Sequence, residues 1–371
     1  MSLIYYLIFS LIVITSIREF SSEEKTSKQW FFSIVILMMF TAGLGYGLSP
    51  DWLAYFRAFR DIELVSWDEL KEFSDYQSME IGYILQNKFL NELGFGFGMV
   101  SLSLVIVSLY LKSITLYKYT ELPALALFMY AMPTFMFEEH VHIRQGLACA
   151  ITLFSVRFII ERRLIYFLIC IFLAYQFHES CIIFVLAYWI GVMKINQVVM
   201  GWLVTIAILG NYLGLTSIIE VIMGFMPFGQ EKFEDYQSQL GGEEGVAVGD
   251  IVKILTTISI VIYNKYAEED KLYRIFRNLL IFGIILYFFL GKGIFGIRLP
   301  GYYLVFLGLT VSRLVYSFNG ENIKRNFIYS VFVVYTILLI FWFQYKQGHK
   351  SNFNNYKTFF SSESVYGIWK D

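Results

Sequence analysis

Residues 29–50 read QWFFSIVILMMFTAGLGYGLSP and contain no charged side chain. An α-helix needs about 20 predominantly apolar residues to cross the hydrocarbon core of a bilayer. Three further charge-free runs, at 93–111, 195–219 and 326–345, approach or exceed that length, and shorter ones recur elsewhere. This repetition predicts an all-α, polytopic integral membrane protein.

The composition of the whole chain supports the same prediction. Of its 371 residues, 57% are hydrophobic and only 16% are charged, against roughly 25% charged residues in an average soluble domain. A soluble protein of this composition would expose large apolar patches, and a disordered chain would need far lower hydrophobicity. The three cysteines lie in apolar stretches, which indicates no disulfide framework: Cys149, Cys170 and Cys181.

We predict about twelve transmembrane helices, within a range of roughly 11 to 13, at about 20 residues a span. The first apolar run lacks a small-residue cleavage site, so we interpret it as a retained span and not as a signal peptide. A single membrane domain over 1–371 is expected to carry two insertions, at 49–94 and 215–247. The predicted spans centre on residues 3–19, 29–48, 95–114, 121–137, 143–160, 164–178, 180–193, 196–214, 248–265, 275–290, 298–316 and 326–345.

The distribution of Lys and Arg predicts the orientation of the chain. Alternate loops carry more Lys and Arg than Asp and Glu, whereas the other segments carry an excess of acids. Because short basic loops stay in the cytoplasm, both termini, both insertions and all 4 histidines are expected outside. The charge-poor middles of the spans do not favour an ion-coupled pathway. The basic loops lie near residues 18–28, 112–121, 157–163, 194, 265–277 and 313–325.

The first candidate segment is SPDWLAYFRAFRD at 49–61. Ser49 suits the N-cap and Pro50 the first position of a short helix. Its aromatic side chains recur at helical spacing, which predicts a helix lying in the membrane interface. Two arginines on another face could grip a phosphate, or they could snorkel or pair with nearby acids. The aromatic residues are Trp52, Tyr55, Phe56 and Phe59, the arginines are Arg57 and Arg60, and the acids are Asp61 and Glu63.

Arg144 follows the sequence FEEHVHI where the predicted fifth span begins. A cation in the first turn of a helix opposes the helix dipole and is costly beside apolar sequence. A bound phosphate would turn both penalties into an anion site, and pairing with a nearby acid is the alternative. No metal site is expected at Glu138, His140 and His142, because His-x-His spacing does not place both rings on one helix face.

Two further outward segments carry candidate polar residues. His178 lies in a turn between two charge-free runs that are short for full spans, so it is expected at or just below the outer surface. It could donate to a phosphate, accept a hydroxyl proton or cap a helix. Arg298 follows a glycine-rich loop that contains Lys292. Pro300 predicts that a helix begins there, with headgroup snorkelling as the alternative role of Arg298.

These cations suggest one kind of ligand. If the arginines of the three segments and Lys292 converge on one cavity, they form a strong site for a di-anion such as pyrophosphate. Aromatic residues of the outer insertions could stack on sugars, although they also populate any interfacial belt.

Many of the candidate residues fall within five short motifs, which are Asp51-x-x-x-Tyr55, Glu80-x-Gly82-Tyr83, Arg144-Gln145-Gly146-Leu147-Ala148, Phe177-His178-x-Ser180 and Arg298-x-x-x-Tyr302. At these motifs the sequence resembles the EpsG family of membrane proteins from polysaccharide-export clusters, which is similar to Wzy-type polymerases. Each motif is short, but their order and spacing in a polytopic chain make the resemblance fairly specific.

The resemblance implies a glycosyltransferase without metal or cofactor, similar to GT-C-type enzymes that use lipid carriers. Such an enzyme joins oligosaccharide repeats carried on undecaprenyl pyrophosphate into exopolysaccharide, capsule or O-antigen. It would act at the extracytoplasmic face of the cytoplasmic (inner) membrane. The implied partners are the lipid-linked oligosaccharide and the bilayer, with chain-length regulator and flippase proteins as candidates and no nucleic acid.

The resemblance also suggests roles for individual residues. Arg144 and Arg298 would bind the donor pyrophosphate. His178 would contact phosphate or accept the proton of the acceptor hydroxyl. The residues expected to assist phosphate binding are Arg57, Arg60 and Lys292, the alternative bases are Asp51, Glu80 and Glu139, and the residues expected to contact sugar or pack are Tyr55, Tyr83, Gln145 and Tyr302.

Three other functions remain open at the level of sequence. A flippase or transporter needs a polar path reachable from both sides, which the one-sided placement of the candidates disfavours. A membrane acyltransferase would use a cytoplasmic acyl donor, whereas His178 is predicted outward. A ligase that transfers finished chains is chemically so close that sequence hardly separates it.

Overall fold

The computed structural model describes residues 1–47, 50–213, 248–291, 294–318, 321–347 and 352–360. Within these ranges the regular structure is helical, apart from one isolated antiparallel bridge between Gly45 and Thr358. The predicted all-α fold is therefore confirmed. Ser49, Lys292 and the insertion at 215–247 lie outside the described residues.

The described α-helices, labelled in chain order, are α1 (Leu3–Ser22), α2 (Lys28–Gly43), α3 (Pro50–Asp61), α4 (Leu70–Gln77), α5 (Ile81–Glu92), α6 (Phe97–Tyr119), α7 (Pro123–Tyr130), α8 (Met136–Glu138), α9 (Ile143–Ile160), α10 (Leu164–Tyr175), α11 (Ala187–Ile190), α12 (Gln197–Tyr212), α13 (Val248–Tyr263), α14 (Lys271–Leu290), α15 (Ile294–Leu304), α16 (Leu307–Tyr316) and α17 (Asn322–Gln347). Short 3-10 helices lie at Ile62–Leu64, Glu179–Leu186, Asn264–Tyr266 and Asn352–Asn354, and a π-helical turn lies at Ala131–Phe135.

Several of these helices are long and apolar enough to cross a membrane. Among the described residues, six helices meet both criteria, and they are Leu3–Ser22, Phe97–Tyr119, Ile143–Ile160, Lys271–Leu290, Arg298–Tyr316 and Asn322–Tyr345. Shorter apolar helices lie at Lys28–Gly43, Leu164–Tyr175, Glu179–Ile190 and Gln197–Tyr212. The finding supports a multi-pass membrane protein, while the number of twelve spans and the likeness to GT-C-type enzymes stay predictions.

The chain groups into two compact units. Unit 1 contains Met1–Ile182 and Tyr329–Asp371, and unit 2 contains Ile183–Ile328. The single membrane domain expected over 1–371 stays a prediction.

Glu19 marks one end of the helix bundle in unit 1. Its buried carboxylate accepts hydrogen bonds from the backbone N–H groups of Thr26 at 3.1 Å, Ala124 at 2.9 Å and Leu125 at 3.2 Å. A carboxylate where a helix begins satisfies N–H groups that lack a partner within the helix and complements the helix dipole. The α1–α2 and α6–α7 connections therefore meet at this end, as short connections between antiparallel neighbours require.

Helix α3 lies toward the opposite end of this bundle and begins at Pro50, as predicted. Its aromatic face, however, is covered by protein. Trp52 and Tyr55 are 3% and 5% exposed, and the Trp52 ring packs edge-on against Phe97 of α6 at 4.9 Å between ring centroids. The difference from the predicted lipid-facing stripe arises because α5 and α6 supply the apolar surface that buries it.

Two predicted positions are wrong. Lys112, expected in a cytoplasmic loop, lies inside α6 with its side chain 1% exposed, because α6 continues to Tyr119. Arg298 lies in an apolar stretch, Arg298–Tyr316, that matches the predicted span, but it was expected where a helix begins and lies one turn into α15, which begins at Ile294 and contains Pro300. The prediction relied on the preference of proline for the first turn of a helix, and it therefore placed the beginning of this helix too late in the chain.

In unit 2, helix α14 is central, and α12, α13, α15 and α16 pack against it. Gly283 of α14 permits close approach to α15, since a Cβ atom there would lie 2.6 Å from the Cβ atom of Tyr303. The buried Arg277 donates to Asn264 Oδ1 at 2.5 Å and to the Ile195 carbonyl at 3.2 Å. These residues line a cavity of about 310 Å³.

The C-terminal segment 352–360 belongs to unit 1 and packs against the N-terminal part of that unit. The backbone N–H of Ser2 donates to the Phe353 carbonyl at 2.7 Å, and that of Tyr46 donates to the Lys357 carbonyl at 2.9 Å. These bonds hold the segment against the beginning of α1 and the residues that follow α2.

Candidate functional site

The site is built around Arg144, the second residue of α9. Its Nη1 group donates to the carboxylate of Glu80, which immediately precedes α5. The two side chains are 16% and 17% exposed, so the ion pair is largely buried but still touches solvent. Of the two roles that the sequence left open for Arg144, pairing with an acid is present in the structure, and the acid is 64 residues away in the chain.

Two tyrosines flank the guanidinium group of Arg144. Its Cζ atom lies 5.3 Å from the ring centroid of Tyr55 and 5.7 Å from that of Tyr83, which is within the range of cation–π attraction. Both rings are buried, and burial raises the pKa of the Tyr83 hydroxyl. The two rings therefore restrict the orientation of the cation, and Tyr55 also forms a side-chain hydrogen bond with Arg144.

Glu80 also joins the beginning of α5 to the turn that follows α10. Its second carboxylate oxygen accepts the backbone N–H of Glu179 at 3.1 Å. Nearby, the backbone N–H of Gly82 donates to the Gln176 carbonyl at 2.9 Å. A Cβ atom at Gly82 would lie 2.6 Å from that carbonyl oxygen. The glycine of the second motif therefore permits the close approach that brings His178 to this end of unit 1.

His178 is half-buried in this turn. Its Nδ1 atom lies 2.7 Å from the hydroxyl oxygen of Ser180, and its backbone N–H donates to the Ala174 carbonyl at 3.0 Å. If the hydroxyl donates, Nδ1 is the acceptor and the ring proton sits on Nε2. Ser180 thus fixes the orientation of the imidazole, which explains its place in the fourth motif.

Asp51 meets a histidine that the sequence did not single out as its partner. The Nε2 atom of His142 lies 3.8 Å from Asp51 Oδ2, with side chains 29% and 41% exposed. The His142 ring is nearly parallel to that of Phe137, at 6.3 Å between centroids. The signal available in the sequence was the position of His142 immediately before α9, two residues from Arg144. We name the set of Asp51, Glu80, Arg144, His142 and His178 the motif site.

The two arginines of α3 differ from Arg144 in exposure. Arg60 donates to Asp61 Oδ1 through Nε at 2.9 Å and through Nη2 at 2.8 Å, and both side chains are exposed. Arg57 is exposed as well. The acid-pairing alternative is therefore present for Arg60, and phosphate binding by either arginine stays a prediction.

Glu139 is buried and heavily bonded. Its side chain is 1% exposed. One carboxylate oxygen accepts from Lys112 Nζ at 2.6 Å, from the Tyr130 hydroxyl at 2.7 Å and from the Ser108 hydroxyl at 2.8 Å. This environment suits a structural anion better than a base that meets a substrate.

The remaining candidates are distributed over both units. Gln145 is 6% exposed and follows Arg144 in α9 of unit 1. In unit 2, Tyr302 is fully buried, whereas Arg298 is partly exposed. Lys292 lies outside the described residues, so its role and that of Arg298 stay predictions.

Contacts at Arg144 join residues of three sequence motifs, through Tyr55, Glu80 and Arg144 itself, and Glu80 bonds to the backbone next to His178 of a fourth. The motif site offers a guanidinium held by one carboxylate, and two groups with solvent contact, Asp51 with His142 and His178 with Ser180, that can exchange protons. Among the residues that the structure describes, no group of three His, Cys, Asp or Glu side chains is arranged to hold a metal ion. The arrangement can bind an oxyanion and accept a proton.

Comparison with known proteins gives one result for nearly the whole chain. The model of the EpsG family matches residues 28–358, which include every motif-site residue and the segment that carries Arg298. No curated protein and no solved structure matches the chain.

Proposed function

The chain belongs to the EpsG family, and from this premise we propose that it is a polysaccharide polymerase of the extracytoplasmic membrane face. It would transfer a growing glycan from undecaprenyl pyrophosphate to the sugar of a second lipid-linked repeat. The bond broken joins the anomeric carbon to the pyrophosphate, and the bond formed joins that carbon to the acceptor hydroxyl oxygen. The acceptor loses a proton and the lipid pyrophosphate leaves.

The observation that carries the proposal is the environment of Arg144. The guanidinium is oriented by Glu80 on one side and by two tyrosine rings, while its Nε atom is buried and has no hydrogen-bond partner among the described residues. A buried donor of this kind can bond to an oxygen atom of a bound anion. A fixed guanidinium stabilises the charge that develops on a leaving pyrophosphate.

Burial and bonding separate the candidate bases. Both carboxylate oxygens of Glu80 already accept a hydrogen bond, and Glu139 is buried in its own network. Asp51 beside His142 and His178 beside Ser180 retain contact with solvent. A general base must come within hydrogen-bond reach of the hydroxyl that it deprotonates. We therefore propose Asp51 with His142 as the proton acceptor and His178 as a phosphate contact.

The test uses purified protein in nanodiscs with lipid-linked oligosaccharides and no nucleotide sugar. A ladder of products is expected from the wild type and is expected to be lost in Arg144→Ala. Arg163→Ala is the matched control, because Arg163 forms an exposed ion pair with Glu161 and lies outside the motif site. Full ladder growth in Arg144→Ala at normal protein level would contradict the proposed role of Arg144.

One observation favours a second function, transport of the lipid-linked repeat. Charges are rare within the predicted spans, which disfavours an ion-coupled path, yet Lys112 is buried within α6 beside Glu138 and Glu139. Buried ionisable groups of this kind occur in proton-coupled transporters. In the same nanodiscs, movement of the lipid-linked repeat across the bilayer without ladder growth would favour the flippase.

A further inference from the structure

Unit 1 contains a second charged cluster, separate from the motif site and deeply buried. Lys112 Nζ lies 2.5 Å from Glu138 Oε2 and 2.6 Å from Glu139 Oε1. The hydroxyl groups of Tyr130 and Ser108 donate to the same Glu139 oxygen at 2.7 Å and 2.8 Å. The side chains of Lys112 and Glu139 are each 1% exposed, and that of Glu138 is 10% exposed.

The charges of this cluster do not balance if all three ionisable side chains are charged. One ammonium faces two carboxylates, while the other groups in contact, Tyr130, Ser108 and Cys149, are neutral at pH 7. An excess charge buried without compensation is expensive, and a buried site loses it most readily by binding a proton. Two carboxylates that share one site commonly retain one proton between them.

The hydrogen bonds distinguish the two carboxylates. Glu139 accepts bonds from an ammonium and two hydroxyl groups, which favours its charged form. Glu138 accepts from Lys112 and is also in hydrogen-bond contact with Cys149, a weaker donor. We propose that Glu138 holds a proton at neutral pH, so that the cluster consists of one ion pair, Lys112 with Glu139, and one neutral carboxylic acid.

The cluster is attached to the beginning of α9. The Ser108 hydroxyl lies 2.8 Å from Glu139 and 3.1 Å from the carbonyl oxygen of Gly146. A Cβ atom at Gly146 would overlap the carbonyl oxygen of Glu138, so the glycine lets the first turn of α9 approach the residue that carries the proton. In its neutral form the cluster thus fixes the turn that leads into Arg144, and Lys112 and Ser108 are positioning residues for the guanidinium.

Infrared spectroscopy of the full chain in lipid tests the protonation directly. A protonated carboxyl group has a carbonyl stretch distinct from the amide and carboxylate bands, and a buried one is insensitive to bulk pH near neutrality. We expect this band in the wild type, its loss in Glu138→Gln and its retention in Glu161→Gln, which changes an exposed glutamate. Absence of the band in the wild type, or its survival in Glu138→Gln, would overturn the proposal.

Thermal unfolding tests the charge balance without any assay of activity. Glu138→Gln replaces the protonated acid by a neutral side chain of similar shape and is expected to leave the unfolding temperature within about 2 °C of the wild type. Lys112→Met leaves the buried Glu139 carboxylate without a cation, and a drop of roughly 6 °C or more is expected. Adding Glu139→Gln to Lys112→Met should recover at least half of that drop. No recovery would mean that charge balance does not govern the cluster.

The positioning role rests on the proposed function, and its test is kinetic. Ser108→Ala removes the hydroxyl between Glu139 and α9, so we expect a several-fold higher KM for the lipid-linked donor with a smaller change in kcat. Ser108→Thr, which restores the hydroxyl, should recover the wild-type KM. An unchanged KM in Ser108→Ala would overturn the positioning role. A wild type without polymerase activity would contradict the proposed function instead, while the infrared and thermal results would still decide the state of the cluster.

Discussion

Two clusters of charge in unit 1 combine the same kinds of group and differ in exposure. The Arg144–Glu80 pair is 16% and 17% exposed and has one cation for one acid. The Lys112 cluster has one cation for two acids, and the Lys112 and Glu139 side chains are 1% exposed. A ligand can reach the first, whereas in the second an unbalanced charge would be costly to folding. The accessible pair therefore suits a role in function, and the buried cluster suits a role in the fold.

The largest effect is expected from Lys112→Met. Removing one partner of a buried ion pair typically costs about 3–5 kcal/mol, because the remaining charge stays buried without a partner. We expect this loss in the free energy of unfolding, measured by denaturation in a defined detergent or lipid mixture. A cost below about 1 kcal/mol, typical of a surface pair, would remove the distinction between the two clusters.

Arg144→Lys is expected to lower activity with little effect on stability, the opposite of what is expected for Lys112→Met. Lysine keeps the charge but lacks the planar fork that binds an oxyanion through two donors. Polymerisation should fall by roughly 10²-fold, as when one donor to a developing oxyanion is lost, while the unfolding temperature changes by less than about 2 °C. The measurement is the initial rate of ladder growth in nanodiscs. A variant that is strongly destabilised but as active per folded molecule as the wild type would reverse the assignment.

The sequence indicated each component of the motif site but not its pairings. Arg144 stood out because a cation in the first turn of an apolar helix needs a partner, and this reasoning predicted either an anion or an acid. It could not single out Glu80 as that acid, because the pairing crosses 64 residues and depends on how α5 packs. The Asp51–His142 contact was missed for the same reason.

The buried cluster was missed because the loop boundary was drawn too early. The third predicted span covered residues 95–114, and Lys112 was counted with the basic loop near 112–121, whereas α6 has 23 residues and ends at Tyr119. A signal was present in the polar residues Ser108, Lys112 and Thr115, which recur at i, i+4 and i+7 and so share one helix face. All three are buried in the structure.

A smaller effect is expected from Gly82→Ala, which tests how the motif site is held together. An added methyl group would lie 2.6 Å from the Gln176 carbonyl oxygen, and relief of such overlap typically costs about 1–3 kcal/mol. Relief of the overlap would shift the beginning of α5 and therefore Glu80. Because Glu80 bonds to both Arg144 and the backbone of Glu179, polymerase activity should also fall. Gly94→Ala is not a suitable control, since Gly94 has a positive φ of 79°, but Gly96→Ala is, because nothing lies within 4 Å of its added methyl group.

The smallest effect concerns His140, which lies in the turn between the two clusters. Its ring packs against Tyr5, Phe135 and Phe353, and burial lowers the pKa of His140 to about 4. The neutral ring is therefore favoured in the fold, whereas in the unfolded chain it protonates below pH 6.5 or so. This contribution to stability is complete above that pH and is lost as the pH falls from about 6.5 toward 4.

Because His140 protonates in the unfolded chain, we expect the free energy of unfolding to be about 1 kcal/mol lower at pH 5.5 than at pH 8. His140→Phe keeps the aromatic packing and cannot protonate, so the difference between pH 8 and pH 5.5 should shrink by that amount in the variant. Part of the stability at pH 8 will be lost with the bond from the ring to the Phe135 carbonyl, at 3.3 Å. An unchanged pH difference would mean that the turn opens to water near neutral pH. In that case His140, which lies between the motif site and the Lys112 cluster, would not keep water away from the cluster.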